Sequence, residues 1–207
     1  MSRFKLRPPL LCLITDPTLP DLAERVGIAL SAGVNMLQLR GHQVSAAHLY
    51  QLAAYFRPLC QRYGAVFIVN DRLDVGLAVQ ADGFQLGIRS LPLTVARQVV
   101  GEEALLGASV HSSAEARAAV ETADYLMVGS IFASQSHPGE TPAGPGLIRE
   151  IKQTCPSCLI LAIGGITPAN ARCVMAAGAS GVAVISAILE ARDIRYTVCT
   201  LRAAIDV

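Results

Sequence analysis

Eight short apolar runs, separated by stretches of helical periodicity, constrain this chain more than any other feature. The runs are LLCLITD (10–16), MLQLR (36–40), AVFIVND (65–71), GFQLG (83–87), ALLGASVH (104–111), YLMVGSIF (125–132), LILAIGG (159–165) and GVAVIS (181–186). Each has the length of a strand. The segments between them, such as DLAERVGIALSAG and AAHLYQLAAYFRPLCQRYG, carry apolar residues three and four apart, as a helix packed on one face requires. Strand and helix in alternation imply parallel strands covered by helices.

A weak internal repeat points to closure of the sheet. Ala32-Gly33, Ala81-Asp82-Gly83, Ala123-Asp124 and Ala177-Gly178-Ala179 precede the second, fourth, sixth and eighth runs. An open doubly wound sheet is the competing architecture. No Gly-x-Gly-x-x-Gly follows the first run, however, and eight units in 207 residues fit a compact (β/α)8 or TIM barrel, one α/β domain over 1–207.

Composition narrows the function classes. The chain is 52% hydrophobic and 16% charged with a formal net charge of +1, which suits a globular protein and argues against a broad nucleic-acid-binding surface. A mean hydropathy of +0.45 calls for a membrane test. The best span, CVMAAGASGVAVISAIL (173–189), is broken by Ala-Gly-Ala-Ser-Gly, which reads as helix end, turn and strand. At the N-terminus, Asp16 and Pro17 stand where a signal peptide needs a small-residue cleavage site. The expectation is a soluble, cytoplasmic protein without nucleic-acid or membrane partners. Of six cysteines only CPSC (155–158) forms a C-x-x-C pair, with no second pair and no histidine at zinc spacing, so the thiols read as structural. Apolar helix faces beyond the needs of one core would suit a homodimer.

In a barrel of this kind chemistry sits at the C-terminal ends of the strands, where the βα loops converge. Polar residues collect there: Asp16, Gln38, Arg40, Asn70, Asp71, Gln85, Ser109, His111, Ser130 and Ser186. The stretch LAIGGITPAN (161–170) adds Gly164 and Gly165, which let the backbone approach a ligand closely or simply make a tight turn. Backbone N–H groups of that loop, with those of Ser186 and Ala187, are the candidate phosphate cradle. Thr167 and Pro168 then read as N-cap and first-turn proline of the next helix. Asn70 and Asp71 form a candidate polar pair at the mouth, the alternative for Asp71 being to cap a helix beginning near Arg72.

From LITD through GVNMLQLR, FIVNDRLDVGLAVQADGFQLG, GASVHSSAEARAA, ADYLMVGSIF and AIGGITPANA to AGASGVAVISAI, the chain resembles the thiamine phosphate synthase/TenI family. The resemblance implies a TIM barrel that handles a phosphorylated thiazole. In the synthase it also implies a pyrimidine pyrophosphate and Mg²⁺, with pyrophosphate expelled in a dissociative step. Gln38, Arg40, Asn70, Asp71, Ser109, Gly164, Gly165 and Ser186 match the family pattern, and Asp71 would be a metal ligand in a synthase.

Several positions depart from that pattern. Gly41 and His42 stand where synthases usually have Glu and Lys. Ile88, Arg89 and Ser90 replace Gln-Glu-Asp, removing a second metal carboxylate, and Ser134-Gln135-Ser136-His137 replaces Thr-Pro-Thr-Lys. A hard cation that loses one of two carboxylates is held poorly. These losses lead to the expectation of a TenI-like thiazole tautomerase acting on a carboxythiazole phosphate without a cofactor. The alternatives are a divergent Mg-dependent synthase and a non-catalytic regulator that binds thiazole phosphate or thiamine phosphate. Ser130 occupies the position of the characterised tautomerase histidine, so the acid/base role passes to His137 first, then His111 and His42. Ser134 and Ser136 join Gln38, Arg40, Ser109 and Ser130 as candidate substrate-binding residues. The loop from Ala133 to Gly146 is a candidate lid or an ordered surface excursion.

Overall fold

A computed structural model of the chain describes residues 6–134, 139 and 141–206. Each apolar run forms a strand: β1 (Leu10–Ile14), β2 (Met36–Leu39), β3 (Val66–Asn70), β4 (Gly83–Leu86), β5 (Leu105–Val110), β6 (Tyr125–Val128), β7 (Ile160–Ile163) and β8 (Gly181–Val184). Between and after them lie α1 (Leu22–Ala32), α2 (Ala46–Tyr63), α3 (Leu73–Ala78), α4 (Leu93–Val100), α5 (Ser113–Ala119), α6 (Gly146–Thr154), α7 (Ala171–Ala176), α8 (Ser186–Leu189) and α9 (Ile194–Ile205). The strands pair in parallel and in chain order, and β8 returns to β1, so the sheet is a closed eight-stranded barrel with helices outside. The strands stop before the apolar runs do. Their polar and glycine-rich tails become the βα loops.

Alternation along each strand divides the core in two. Leu10, Cys12, Ile14, Met36, Ile68 and Tyr125 fill the barrel interior, while their neighbours Leu11, Leu13, Leu37 and Phe67 pack outward against the helices. The same period carries Met36 to Gln38, Ile68 to Asn70 and Leu105 to Ser109. Interior positions that are apolar at mid-barrel thus turn polar at the mouth.

The internal repeat has a physical basis. The residue entering each even strand donates its N–H to the preceding odd strand: Asn35 to Leu11 O, Asp82 to Phe67 O, Asp124 to Leu106 O and Ser180 to Ile160 O. Its side chain accepts in return, from Leu11 N (2.8 Å), Phe67 N (2.8 Å), Leu106 N (2.8 Å) and Ile160 N (3.2 Å), respectively. Arginines from the helices complete two of the four. Arg57 donates to Asp82 Oδ2 at 3.0 Å, and Arg97 donates to Asp124 Oδ2 at 2.8 Å. Four equivalent clasps at the end opposite the mouth set the register of strand pairs β1β2, β3β4, β5β6 and β7β8.

Helix starts follow local chemistry. The Ser45, Ser112 and Asp193 side chains accept from His48 N, Glu115 N and Tyr196 N at the heads of α2, α5 and α9. The uncharged stretch 173–189 is divided among α7, a turn, β8 and α8. Among the described residues no helix is long and apolar enough to cross a membrane.

Candidate active site

Asp71 is the centre of the best-defined cluster at the barrel mouth. It follows β3 directly and holds φ at 58°, a left-handed backbone that Asp tolerates better than most residues. Its N–H donates to Gln85 O at 3.0 Å and its carbonyl accepts from Leu73 N at 3.0 Å, which fixes the residue from both sides. The carboxylate does not cap a helix; α3 begins after Arg72 with no side-chain cap. Instead Oδ1 accepts from the Ser90 hydroxyl, and Oδ2 accepts from Asn70 Nδ2 at 2.7 Å. His42 Nδ1 lies 3.6 Å from Oδ2. Two residues that met the family pattern, Asn70 and Asp71, are therefore neighbours of two that departed from it, His42 and Ser90.

Ser90 is held as firmly as Asp71. Its Oγ accepts from Gly87 N at 2.7 Å while donating to the carboxylate, so the tight turn after β4 aims the hydroxyl. One accepted bond on each oxygen leaves the Asp71 carboxylate with unused lone pairs. Among the described residues no lysine or arginine pairs with it. Such a carboxylate can take a divalent cation that keeps other oxygen ligands from substrate or water. The residues present fit that mode, with Asp71 as the anionic ligand. No group of three or more His, Cys, Asp or Glu stands ready to hold an ion among the described residues.

The remaining candidates are distributed around the same mouth. Gln38 is buried at 1% exposure in the barrel, with Nε2 4.0 Å from Met127 Sδ. Arg40 is anchored through its main chain, its N–H donating to Thr15 Oγ1 at 3.0 Å and its carbonyl accepting from the same hydroxyl at 3.3 Å. Among the described residues its guanidinium has no ion-pair partner. Gln85 Nε2 donates to Ser109 Oγ at 3.1 Å, and among the described residues buried Gln85 Oε1 has no hydrogen-bond partner. His111 acts as a brace: its ring Nδ1 bonds the Gly129 carbonyl, joining the ends of β5 and β6, and its N–H donates to Glu115 Oε2 at 2.7 Å.

Gly164 (φ 95°) and Gly165 (φ 61°) are glycines for a reason the sequence did not supply. A Cβ on Gly164 would lie 2.7 Å from the Cα of Ser130, and one on Gly165 would lie 2.3 Å from Ala133 O. The close approach they permit is first to the loop after β6, whose Ile131 and Phe132 N–H groups donate to Ile163 O and Gly164 O at 2.8 and 3.0 Å. Ser130 and Ser134, both half-buried, stand on that loop. His137 and Ser136 lie outside the described residues, as do Gln135, Pro138 and Glu140 of the candidate lid. Thr167 and Pro168 sit in a turn rather than at a helix start. Asn170 closes it, Oδ1 accepting from Thr167 N at 2.8 Å and Nδ2 donating to Gly165 O at 2.9 Å, and α7 begins only at Ala171. Ser186 and Ala187 open the short α8 beside that turn.

Thr15 and Asn170 went unassigned in the sequence, and Gln85 was placed at the mouth without a role. Each had a signal, being the polar residue within an otherwise apolar or glycine-rich strand end. Ser90 was read as a lost ligand, whereas it is the hydroxyl that orients the remaining one.

Comparison with known proteins follows the same lines. Residues 11–188 match the family model described as thiamine monophosphate synthase. A thiamine-phosphate synthase of Methanospirillum hungatei is 46% identical over 189 residues, covering 89% of this chain and 91% of the relative. A bifunctional thiamine biosynthesis protein, ThiM/ThiE, of Symbiobacterium thermophilum is 42% identical over 184 residues; the match spans 87% of this chain and 37% of that longer protein. Among solved structures, thiamine phosphate pyrophosphorylase from Pyrococcus furiosus superposes with a TM-score of 0.88 at 37% identity, covering 95% of each chain. With the barrel, the strand-end residues and these relatives in agreement, the chain belongs to the thiamine monophosphate synthase family of thiamine biosynthesis enzymes.

Proposed function

We propose that the protein is a thiamine-phosphate synthase, a transferase that joins a thiazole phosphate to a pyrimidine methyl pyrophosphate and releases pyrophosphate. The observation that carries this reading is the 46% identity to the Methanospirillum synthase over about nine-tenths of both chains. It displaces the tautomerase expected from the sequence, and the geometry supports the change. The inference against metal counted Ser90 as a missing carboxylate among several losses, yet Ser90 holds Asp71 in place. The inference toward proton transfer named His137 first, which lies outside the described residues, then His111, whose ring Nδ1 bonds the Gly129 carbonyl, and His42.

Asp71 would hold the divalent cation, magnesium in the synthases, which supplies charge neutralisation for the departing pyrophosphate. Arg40, its guanidinium unpaired among the described residues, is the protein cation best suited to the same anion. Asn70 keeps the carboxylate oriented, while Gln38 and the Gln85–Ser109 pair present amide and hydroxyl groups to the heterocycles. Backbone N–H groups of the Gly164-Gly165 turn and of Ser186 and Ala187 would receive the thiazole phosphate.

The test is an assay of purified protein with thiazole phosphate, pyrimidine methyl pyrophosphate and a divalent cation, reading pyrophosphate and thiamine phosphate. A parallel tube holds carboxythiazole phosphate tautomer alone. Turnover is expected in the first only, and Asp71→Asn should lower it by about a hundredfold or more. Turnover in the second tube alone would restore the tautomerase, and tight thiazole phosphate binding without turnover in either would mark a regulator.

A further inference from the structure

We propose that His42 and Asp71 are the two protein ligands of the divalent site, and that their mixed nitrogen and oxygen donors make it take a borderline cation such as Mn²⁺ in preference to Mg²⁺. The starting point is a distance. His42 Nδ1 and Asp71 Oδ2 are 3.6 Å apart, too far for a hydrogen bond. Two donors that share one cation at about 2.1 Å lie roughly 3.0 to 3.4 Å from each other, depending on the coordination angle. A shift of a few tenths of an ångström in a side chain that is 44% exposed closes that gap.

The neighbours orient Asp71 and leave the His42 imidazole as the nitrogen donor beside it. The Ser90 hydroxyl accepts from Gly87 N and donates to Asp71 Oδ1. Asn70 presents its Nδ2 to Oδ2, a donor that orients the oxygen. Oδ2 retains a lone pair on the side of His42, and His42 is free of any other protein partner among the described residues. Magnesium depends on hard oxygen and gives up water reluctantly, whereas an imidazole nitrogen raises affinity for first-row transition ions. A site with one carboxylate and one imidazole therefore shifts selectivity away from magnesium. The proposal rests on the synthase reading only for the pyrophosphate oxygens that would complete the coordination shell.

Tag-free protein stripped with a chelator is titrated with Mn²⁺, with and without inorganic pyrophosphate. Free Mn²⁺ is followed by electron paramagnetic resonance, and nitrogen coupling to bound Mn²⁺ by electron spin echo modulation. The wild type is expected to show coupling to one histidine nitrogen. His42→Ala, with an unchanged circular dichroism spectrum, should lose that coupling, bind Mn²⁺ about tenfold more weakly and lose less of its Mg²⁺ affinity, so that the Mn²⁺ preference falls. Asp71→Ala should lose both ions. Absence of nitrogen coupling in the wild type, its persistence in His42→Ala, or no Mn²⁺ bound under either condition overturns the proposal. The outcomes separate it from the function: nitrogen coupling without synthase turnover leaves the metal site standing, and turnover without nitrogen coupling leaves only the synthase.

Discussion

Gly165 and Gly64 have nearly the same backbone, φ 61° and 65°, in different surroundings. Around Gly64, the C-cap of α2, a Cβ would meet nothing within 4 Å, whereas at Gly165 it would run into the Ala133 carbonyl. Gly64→Ala should therefore cost about 1 kcal/mol for the left-handed backbone alone. Gly165→Ala adds the collision and should cost about 2 to 4 kcal/mol as the β6 and β7 loops separate. Urea denaturation of the two variants side by side checks this, and equal losses would show that the contact with Ala133 contributes nothing. The glycine pair was visible in the sequence as a place of close approach. What it approaches was not, because Ser130 and Ala133 are more than thirty positions away in the chain. Ser90 makes the same point: as one letter it is a carboxylate lost, and as a hydroxyl nineteen residues from Asp71 it is that carboxylate's partner.

The clasps between odd and even strands are the elements' own contribution to register. In the β3β4 clasp the Asp82 side chain is only 5% exposed; Oδ2 holds Phe67 N and Arg57, and Oδ1 lies 2.9 Å from Arg57 Nη2, a coulombic contact rather than a directed bond. Removing the carboxylate leaves a half-buried guanidinium and a buried strand N–H unpaired. Asp82→Ala should lose about 3 kcal/mol or more, and Asp82→Asn, which can still accept from Phe67 N, should lose less. Thermal unfolding read at 222 nm distinguishes the two. The sequence announced these positions as an Ala-Asp or Ala-Gly repeat before the even strands. It did not announce Asn35 and Ser180 as the equivalents of the two aspartates, since three chemically different kinds of side chain perform one hydrogen-bonding task. A similar ambiguity moved the start of α7: Thr-Pro is good helix-start chemistry, but Asn170 ties the turn to Gly165 O and delays the helix to Ala171.

Across the whole molecule, barrel closure decides which thiols are chemically silent. Cys12 is sealed in the interior and burial pushes its thiol far up; Cys60, between α2 and the sheet, is pushed up to about 12, by burial first and then by Asp82, against an opposing effect of Arg57. The thiolate is the reactive species, so neither group should react in the folded protein at pH 8. Cys173 and Cys199 are exposed, and Cys158 is half-buried with its thiol raised by burial. Iodoacetamide labelling followed by mass spectrometry should modify Cys173 and Cys199 first, Cys158 more slowly, and Cys12 and Cys60 only in denaturant. Rapid native labelling of Cys12 would mean that the barrel opens. Reading all six as structural thiols was sound for the buried ones, and the exposure of Cys173 and Cys199 follows from helix faces that one-dimensional periodicity left unassigned.

Order along the chain determined the architecture: alternating strand-length and helix-length apolar patterns admit few packings, and a period of two carried Gln38, Asn70 and Ser109 to the interior of the mouth. Local spacing sufficed for these because the pattern and its consequence lie within the same few residues. The partnerships were decided by closure of the barrel. It brought Ser90 and His42 to Asp71, turned the His111 ring onto Gly129 and laid the Gly164-Gly165 turn against the loop after β6. Those contacts join separate βα units, and their distances exist only once the eight strands share one axis.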